Sequence, residues 1–374
     1  MKRCLAAAQL VLAVFALAGI WDNVTLNQRL MVVGVGVDPG SAAGRVRVTF
    51  QFPTPAALEG IPTGSGGGPA QHPFLTATRE GTSFIDALEQ VQNEEARDVY
   101  LGQLQYILLN VHLRPPVLPD LIQELERTPE IDQTQYVVMT LEPTPHLLKL
   151  SPPTTVLPAV FIADRFRCER CITVQNRVRG VDVLRMTRTP LGDIAIPVIT
   201  ARGAQGFEFT RLAILSRGRV AAVLNPADSL AVAYLKGLVR KGDLWVPGPW
   251  PQPAVLRSVA DAAQVRALPP RAGRPVFVID LHVDAEVDRS PVRVLTSDAY
   301  RTIAGRAAAR LQRQAAQVMS WLDAHDLDPV GLERAMLVTW PQRFVDDAYF
   351  RHLLPRSEVT VRVHVSLHRG GELI

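Results

Sequence analysis

The sequence predicts an α+β protein of three mixed domains, each built on a mostly antiparallel β-sheet with helices packed against it. Three observations carry that expectation. Segments that alternate apolar and polar residues, or that are dense in β-branched ones, recur from Leu30 to the C-terminus. Helix-period apolar patterns lie among them instead of collecting at one end. Proline-rich stretches, at 143–158 and again at 247–253, punctuate the chain. The expected layout is an N-terminal segment 1–20, an α+β domain 21–185, a small β-rich domain 186–268 and an α+β domain 269–374.

Taken in order, Leu30 to Asp38 is β-branched and bounded by Pro39-Gly40, and reads as the first strand. Arg45 to Phe52 alternates, so it should have one buried and one wet face and form a hairpin with the first strand. Residues 62–73, with their glycine run 64–68, read as a flexible loop. A helix should follow Thr82 or Ser83 as N-cap, with Phe84, Ala87, Leu88 and Val91 on one side. Tyr106 to Val111 and Tyr136 to Leu141 read as strands. Between them Pro119 sits at a helix start, with Leu121, Ile122 and Leu125 as its apolar face.

Residues 143–158 read as a connector. Beyond them Ile194–Ile199, Phe207–Leu215 and Arg219–Leu224 form a second set of strands, the last two joined by a Ser216-Arg217-Gly218 turn. Asp228 should cap the next helix. The last unit opens with Val276–Val283, continues through a long helix from about Ser297 to His325 and closes with Glu358–Leu367. That closing strand alternates strictly, and Val276–Val283 is its expected partner.

The N-terminus points to export. Met1-Lys2-Arg3 is basic, and Cys4 to Ile20 follows with Gln9 as the only strongly polar residue. Small residues at Ala16-Leu17-Ala18 would admit cleavage after Ala18; otherwise the segment stays as an anchor.

Composition excludes several classes. With 47% apolar and 20% charged residues the chain can bury sizeable cores and is not disordered. A net charge of +4 spread over the sequence argues against a nucleic-acid partner, which needs its charge concentrated on one face. Three cysteines give no disulfide framework. The Cys168-x-x-Cys171 pair leaves an incidental, a local disulfide and a metal or redox reading open.

There is no Gly-x-Ser-x-Gly, no His-Glu-x-x-His and no phosphate-loop motif. Gly34-x-Gly36 lies inside a strand, so its glycines read as close backbone packing and not as a dinucleotide loop. His325-Asp326-Leu327-Asp328 reads as a polar helix end in preference to a metal site. The expectation is therefore a chain with no catalytic residue, no metal and no cofactor.

Several segments together resemble the Ger(x)C spore germination proteins. Trp21-Asp22 followed by the Leu30–Asp38 strand is similar to that family's opening, and Tyr100–Leu109 to its helix-to-strand passage. Leu212–Leu215 with Arg219–Leu224 resembles its small hairpin. Asp328-Pro329-Val330-Gly331-Leu332 and then Trp340 resemble the segment after its long helix, and Val359–Gly370 its closing strand.

The resemblance implies a three-domain, non-catalytic subunit of a germinant receptor on the outer face of the spore inner membrane, with two polytopic membrane subunits as partners. An exported or anchored small-solute binding protein is the alternative. In one respect the chain departs from the family. Ile20 stands where members carry the cysteine that accepts a lipid, so lipidation there is chemically impossible and an uncleaved helical anchor is expected. The residues marked out for structure or partner contact are Trp21, Asp22, Gly34, Gly36, Asp38, Asp328, Gly331 and Trp340.

Overall fold

The computed structural model describes residues 28–54, 73–150, 152, 157–168, 176–188, 192–203, 206–247, 250, 252–290, 296–342 and 347–368. The N-terminal segment 1–20, Trp21, Asp22, the glycine run 64–68, Cys4 and Cys171 lie outside the described residues. Among the described residues no helix is long and apolar enough to cross a membrane.

The architecture is α+β. Strand β1 (Arg29–Met31) is followed by β2 (Gly34–Pro39), β3 (Val46–Pro53), β4 (Phe74–Gly81), helix α1 (Phe84–Glu94), β5 (Asp98–Tyr100) and β6 (Tyr106–Asn110). Then come α2 (Val117–Arg127), β7 (Tyr136–Thr140), α3 (Thr144–Leu148), α4 (Pro158–Arg167) and α5 (Gly180–Arg188). Strands β8 (Ile194–Arg202), β9 (Gly206–Ser216) and β10 (Arg219–Val223) complete an eight-stranded sheet of order β10-β9-β8-β7-β6-β2-β3-β4. The sheet thus takes strands from both sides of position 185.

Its rims are antiparallel, but the central pairs β2–β6, β6–β7 and β7–β8 are parallel. With four of its seven pairings antiparallel the sheet is mostly antiparallel, as expected, and the helices explain its parallel centre. A parallel neighbour needs a crossover, which α2 provides between β6 and β7, and α3 to α5 between β7 and β8.

Leu30–Asp38 is likewise two strands and not one. Val32 N donates to Tyr100 O at 2.9 Å while Val33 N donates to Gln51 O at 3.0 Å. The chain therefore leaves the small parallel β1–β5 pair and enters the large sheet at that point. Nor are 143–158 a plain connector, since α3 lies within them and Pro158 opens α4. Proline at the first helical turns replaces an amide that would be unpaired anyway, so the residues that read as breakers start helices.

Ser83 caps α1 as expected, accepting from Asp86 N. Helix α6 (Pro226–Leu235), however, is capped by Asn225, with Asp228 as the donor of the capped amide. Between β9 and β10, Arg217 and Gly218 both have positive φ, as a two-residue hairpin turn requires.

The second sheet has the order β11 (Gly242–Val246), β12 (Ala254–Arg271), β13 (Arg274–Arg289), β14 (Glu358–His368). Strand β14 pairs with β13, its expected partner, and runs parallel to it with Val276 opposite Glu358. The long β12 was not legible beforehand, and its ladder with β13 runs across position 268. Helix α7 (Ser297–Ala324), capped by Thr296, packs on β14, and α8 (Leu332–Thr339) and α9 (Asp347–Leu353) follow it.

Three apolar clusters result. One joins Ile107, Val137 and Ile196 of the large sheet to α1, α2 and α5; the opposite face, through Tyr106 and Val138, packs on α3 and α4. The third runs from Leu212 and Ile214 of β9 through α6 to Phe277, Ile279 and α7, so both sheets share it.

Candidate functional site

The first cluster of functional candidates lies where β2 ends. Asp38 is buried, and its carboxylate accepts from Thr144 N at 3.0 and 3.1 Å, from Thr144 Oγ1 at 2.6 Å and from Asn110 Nδ2 at 2.8 Å. A buried carboxylate needs such donors to be tolerated, and of these three the two from Thr144 hold the start of α3 against the sheet.

Gly36 lies behind this clasp. A Cβ there would sit 2.4 Å from Thr144 Oγ1 and 2.8 Å from Leu148 Cδ1. Gly34 stands opposite Tyr106 in the ladder, and a Cβ would reach its ring at 2.6 Å. Burial pushes the Tyr106 phenol far above its ordinary pKa, so it stays neutral.

The second cluster gathers residues 135 to 158 positions apart. The Asp328 carboxylate accepts from the amides of Gly331 and Leu332 at 2.8 and 2.9 Å and of Glu333 at 2.8 Å, covering the start of α8. Gly331 reaches the helix through φ 95°, a left-handed conformation that costs glycine little.

The backbones of Asp328 and Asp193 are also joined. Asp193 N donates to Asp328 O at 2.9 Å, and Asp328 N donates to Asp193 Oδ2 at 2.6 Å. Arg351 of α9 forms a fork on Asp193 at 2.8 and 3.0 Å and also donates to Asp326 O at 2.8 Å. The side chains of this ion pair are 5% and 1% exposed, so water does not screen it.

Gly192 N donates to Glu333 Oε2, and Lys236 Nζ to Pro329 O, both at 2.5 Å. Burial lowers the Lys236 pKa and raises that of Asp328, the latter against the pull of its three amides and Arg351.

Of the residues marked out in the sequence, Gly34, Gly36 and Asp38 meet at the first cluster, and Asp328 and Gly331 at the second. Trp340 ends α8, donating its amide to Met336 O at 2.8 Å, and packs half-buried on the shared core. Trp21 and Asp22 lie outside the described residues. Sequence reasoning missed Asn110, Thr144, Asp193, Glu333 and Arg351. One signal was available for the last, an Arg351-His352 pair set between Phe350 and Leu353-Leu354.

Cys168 is disulfide-bonded, and both other cysteines lie outside the described residues. Among the described residues no group of three or more His, Cys, Asp or Glu side chains is placed to hold a metal ion.

Buried carboxylates used to clasp helix starts and to lock one segment onto another are the chemistry of a scaffold. Two family descriptions match this scaffold in tandem: "Spore germination protein N-terminal domain" over residues 22–201 and "Spore germination B3/ GerAC like, C-terminal" over 210–371. The chain belongs to the Ger(x)C family of spore germination proteins. It is 20% identical to spore germination protein KC of Bacillus subtilis (strain 168), over 99% of this chain and 96% of that one. The crystal structure of the GerBC protein shares the fold, with a TM-score of 0.58 at 14% identity over 89% of this chain and 97% of that one.

Proposed function

We propose that this chain is the non-catalytic, extracytoplasmic C subunit of a spore germinant receptor, required for the response to small nutrients. It is held at the outer face of the inner membrane by its N-terminal segment and works with two polytopic subunits. The observation that carries this reading is the tandem family match over 22–201 and 210–371, which leaves no room for a foreign domain between the two halves. The buried clasps support it, because they commit Asp38, Asp328 and Asp193 to holding shape. In this reading Asp38 and Gly36 fix α3, Gly34 makes room for Tyr106, Asp328, Gly331 and Trp340 fix α8, and Trp21 and Asp22 orient the chain where it leaves the membrane.

The test is affinity purification of a tagged copy from detergent-solubilised spore inner membranes. Two polytopic proteins should come with it; recovery of the chain alone, or from the soluble fraction, would overturn the reading.

One observation favours a second reading, a small-solute binding protein. A cleft of about 580 Å³ is lined by Asp182, Arg185, Met186, Ile194, Lys236 and Arg334, so charges of both signs stand beside apolar side chains. Calorimetry of the purified chain against amino acids decides: a flat titration removes it.

A further inference from the structure

We propose that the outer edge of β14, with the groove between it and α7, is a docking site for an extended segment of a partner subunit. The segment would lie as a fifth strand carrying a basic side chain toward Asp323. This rests on the receptor reading above and goes beyond it by assigning the surface.

Strand β14 is the last in its sheet, eleven residues long, and among the described residues nothing pairs with its outer edge. Unpaired amides and carbonyls in a long regular row are a template for another strand, and proteins ordinarily cover or interrupt such an edge. Beside it lies a groove of about 390 Å³, walled on one side by Ala316, Met319, Ser320 and Asp323 of α7 and on the other by Val359 and Val361. Ala316 and Ser320 are small and exposed, so the inward side chains of an added strand would find room there.

Two polar atoms mark the groove as incomplete. Asp323 Oδ1 and Ser357 Oγ are both shielded from solvent and make no hydrogen bond. Enclosing such groups without partners is costly, and a cationic donor from a docked strand would satisfy the carboxylate. Burial and the neighbouring Asp326 carboxylate both push the Asp323 pKa up, as expected of an acid awaiting a cation.

Charge also decides between occupants. A second copy's β14, laid antiparallel on this edge, would turn Val359, Val361, Val363, Val365 and Leu367 toward the groove and bring no cation to Asp323, whereas a different strand with a lysine or arginine at that place supplies one.

The experiment uses the full chain in spores. A photo-crosslinking benzoylphenylalanine is placed at Ser320, with Arg301, at the far end of α7, as control, and the complex is purified as above. The probe at Ser320 should crosslink to a polytopic subunit, within an extended segment that carries a lysine or arginine, and the probe at Arg301 should not.

Ala316→Arg, which fills the groove from an exposed position, should lower recovery of the partners at least tenfold, and Asp323→Ala should lower it less. Crosslinking only to a second copy, or undiminished recovery with Ala316→Arg, overturns the groove and leaves the receptor reading standing. Recovery of no subunit with the unmodified chain overturns both.

Discussion

At the residue scale the sharpest electrostatic feature is Asp261 of β12. Its side chain is fully enclosed, Oδ1 meets Arg240 at 3.2 Å and Oδ2 has no hydrogen-bond partner. Burial lifts its pKa from 3.8 to about 7, against the weaker pull of the Val239 amide and Arg240. Nearby Tyr234 is pushed up to about 12, first by its own burial and then by Asp261 and Asp243. A carboxyl with a raised folded-state pKa contributes stability that is fully present below its unfolded value and is lost as pH rises toward the folded one. The protein should therefore lose stability between about pH 4 and pH 7 through this group.

Asp261→Asn removes the titration. Its melting temperature should exceed that of the unmodified chain by more at pH 8 than at pH 4.5, and an equal difference at both values would refute the assignment. Gly36 is a steric counterpart. Gly36→Ala must displace Thr144 from the Asp38 clasp, and overpacking of that kind costs about 1–3 kcal/mol, read as a drop in urea midpoint.

At the scale of elements, the junction of β8, α8 and α9 depends on an ion pair whose partners are each unfavourable to bury alone. Arg351→Met leaves Asp193 charged and enclosed, and should cost about 3–5 kcal/mol. Asp193→Leu should be similarly harmful, because it strands Arg351 and also loses the bond to Asp328 N. The double variant should cost clearly less than the sum of the two; strict additivity in a urea-denaturation cycle would mean that the pair is not coupled.

Which elements were legible follows from where their information lies. Helix α7 and strand β14 carry their own signals, a Thr296 cap with Asp298 in the first turn and an unbroken period of two. Helix α4 starts on a proline, and β12 mixes alanines and prolines without clean alternation, so neither announces itself. Of the candidate sites, Asp38, Asp328 and Gly331 stood in recognisable local patterns. Their partners Thr144, Asp193 and Arg351 did not, because a clasp between positions 106 to 158 residues apart leaves no local spacing to read.

On the scale of the whole molecule, the question is whether the two sheets unfold together. The eight-stranded sheet ends in β9 and β10, and inward residues of β9 divide between clusters. Ala213 and Leu215 face α2 and α5, while Leu212 and Ile214 face the core that also holds Phe277, Ile279 and Leu311. The Asp193–Arg351 lock joins the same two regions from the side. A shared apolar core and a buried ion pair make it costly for either sheet to open alone, since opening exposes apolar surface and an uncompensated charge at once.

Scanning calorimetry of residues 28–374 should accordingly show a single transition with calorimetric and van't Hoff enthalpies in agreement. Arg351→Met weakens the lock but leaves Leu212 and Ile214 in place, so it should lower that transition without splitting it. Splitting should require a polar substitution in the shared core, such as Ile214→Asn. Two transitions in the unmodified chain would mean that the sheets are independent domains, and that the buried junction serves orientation alone.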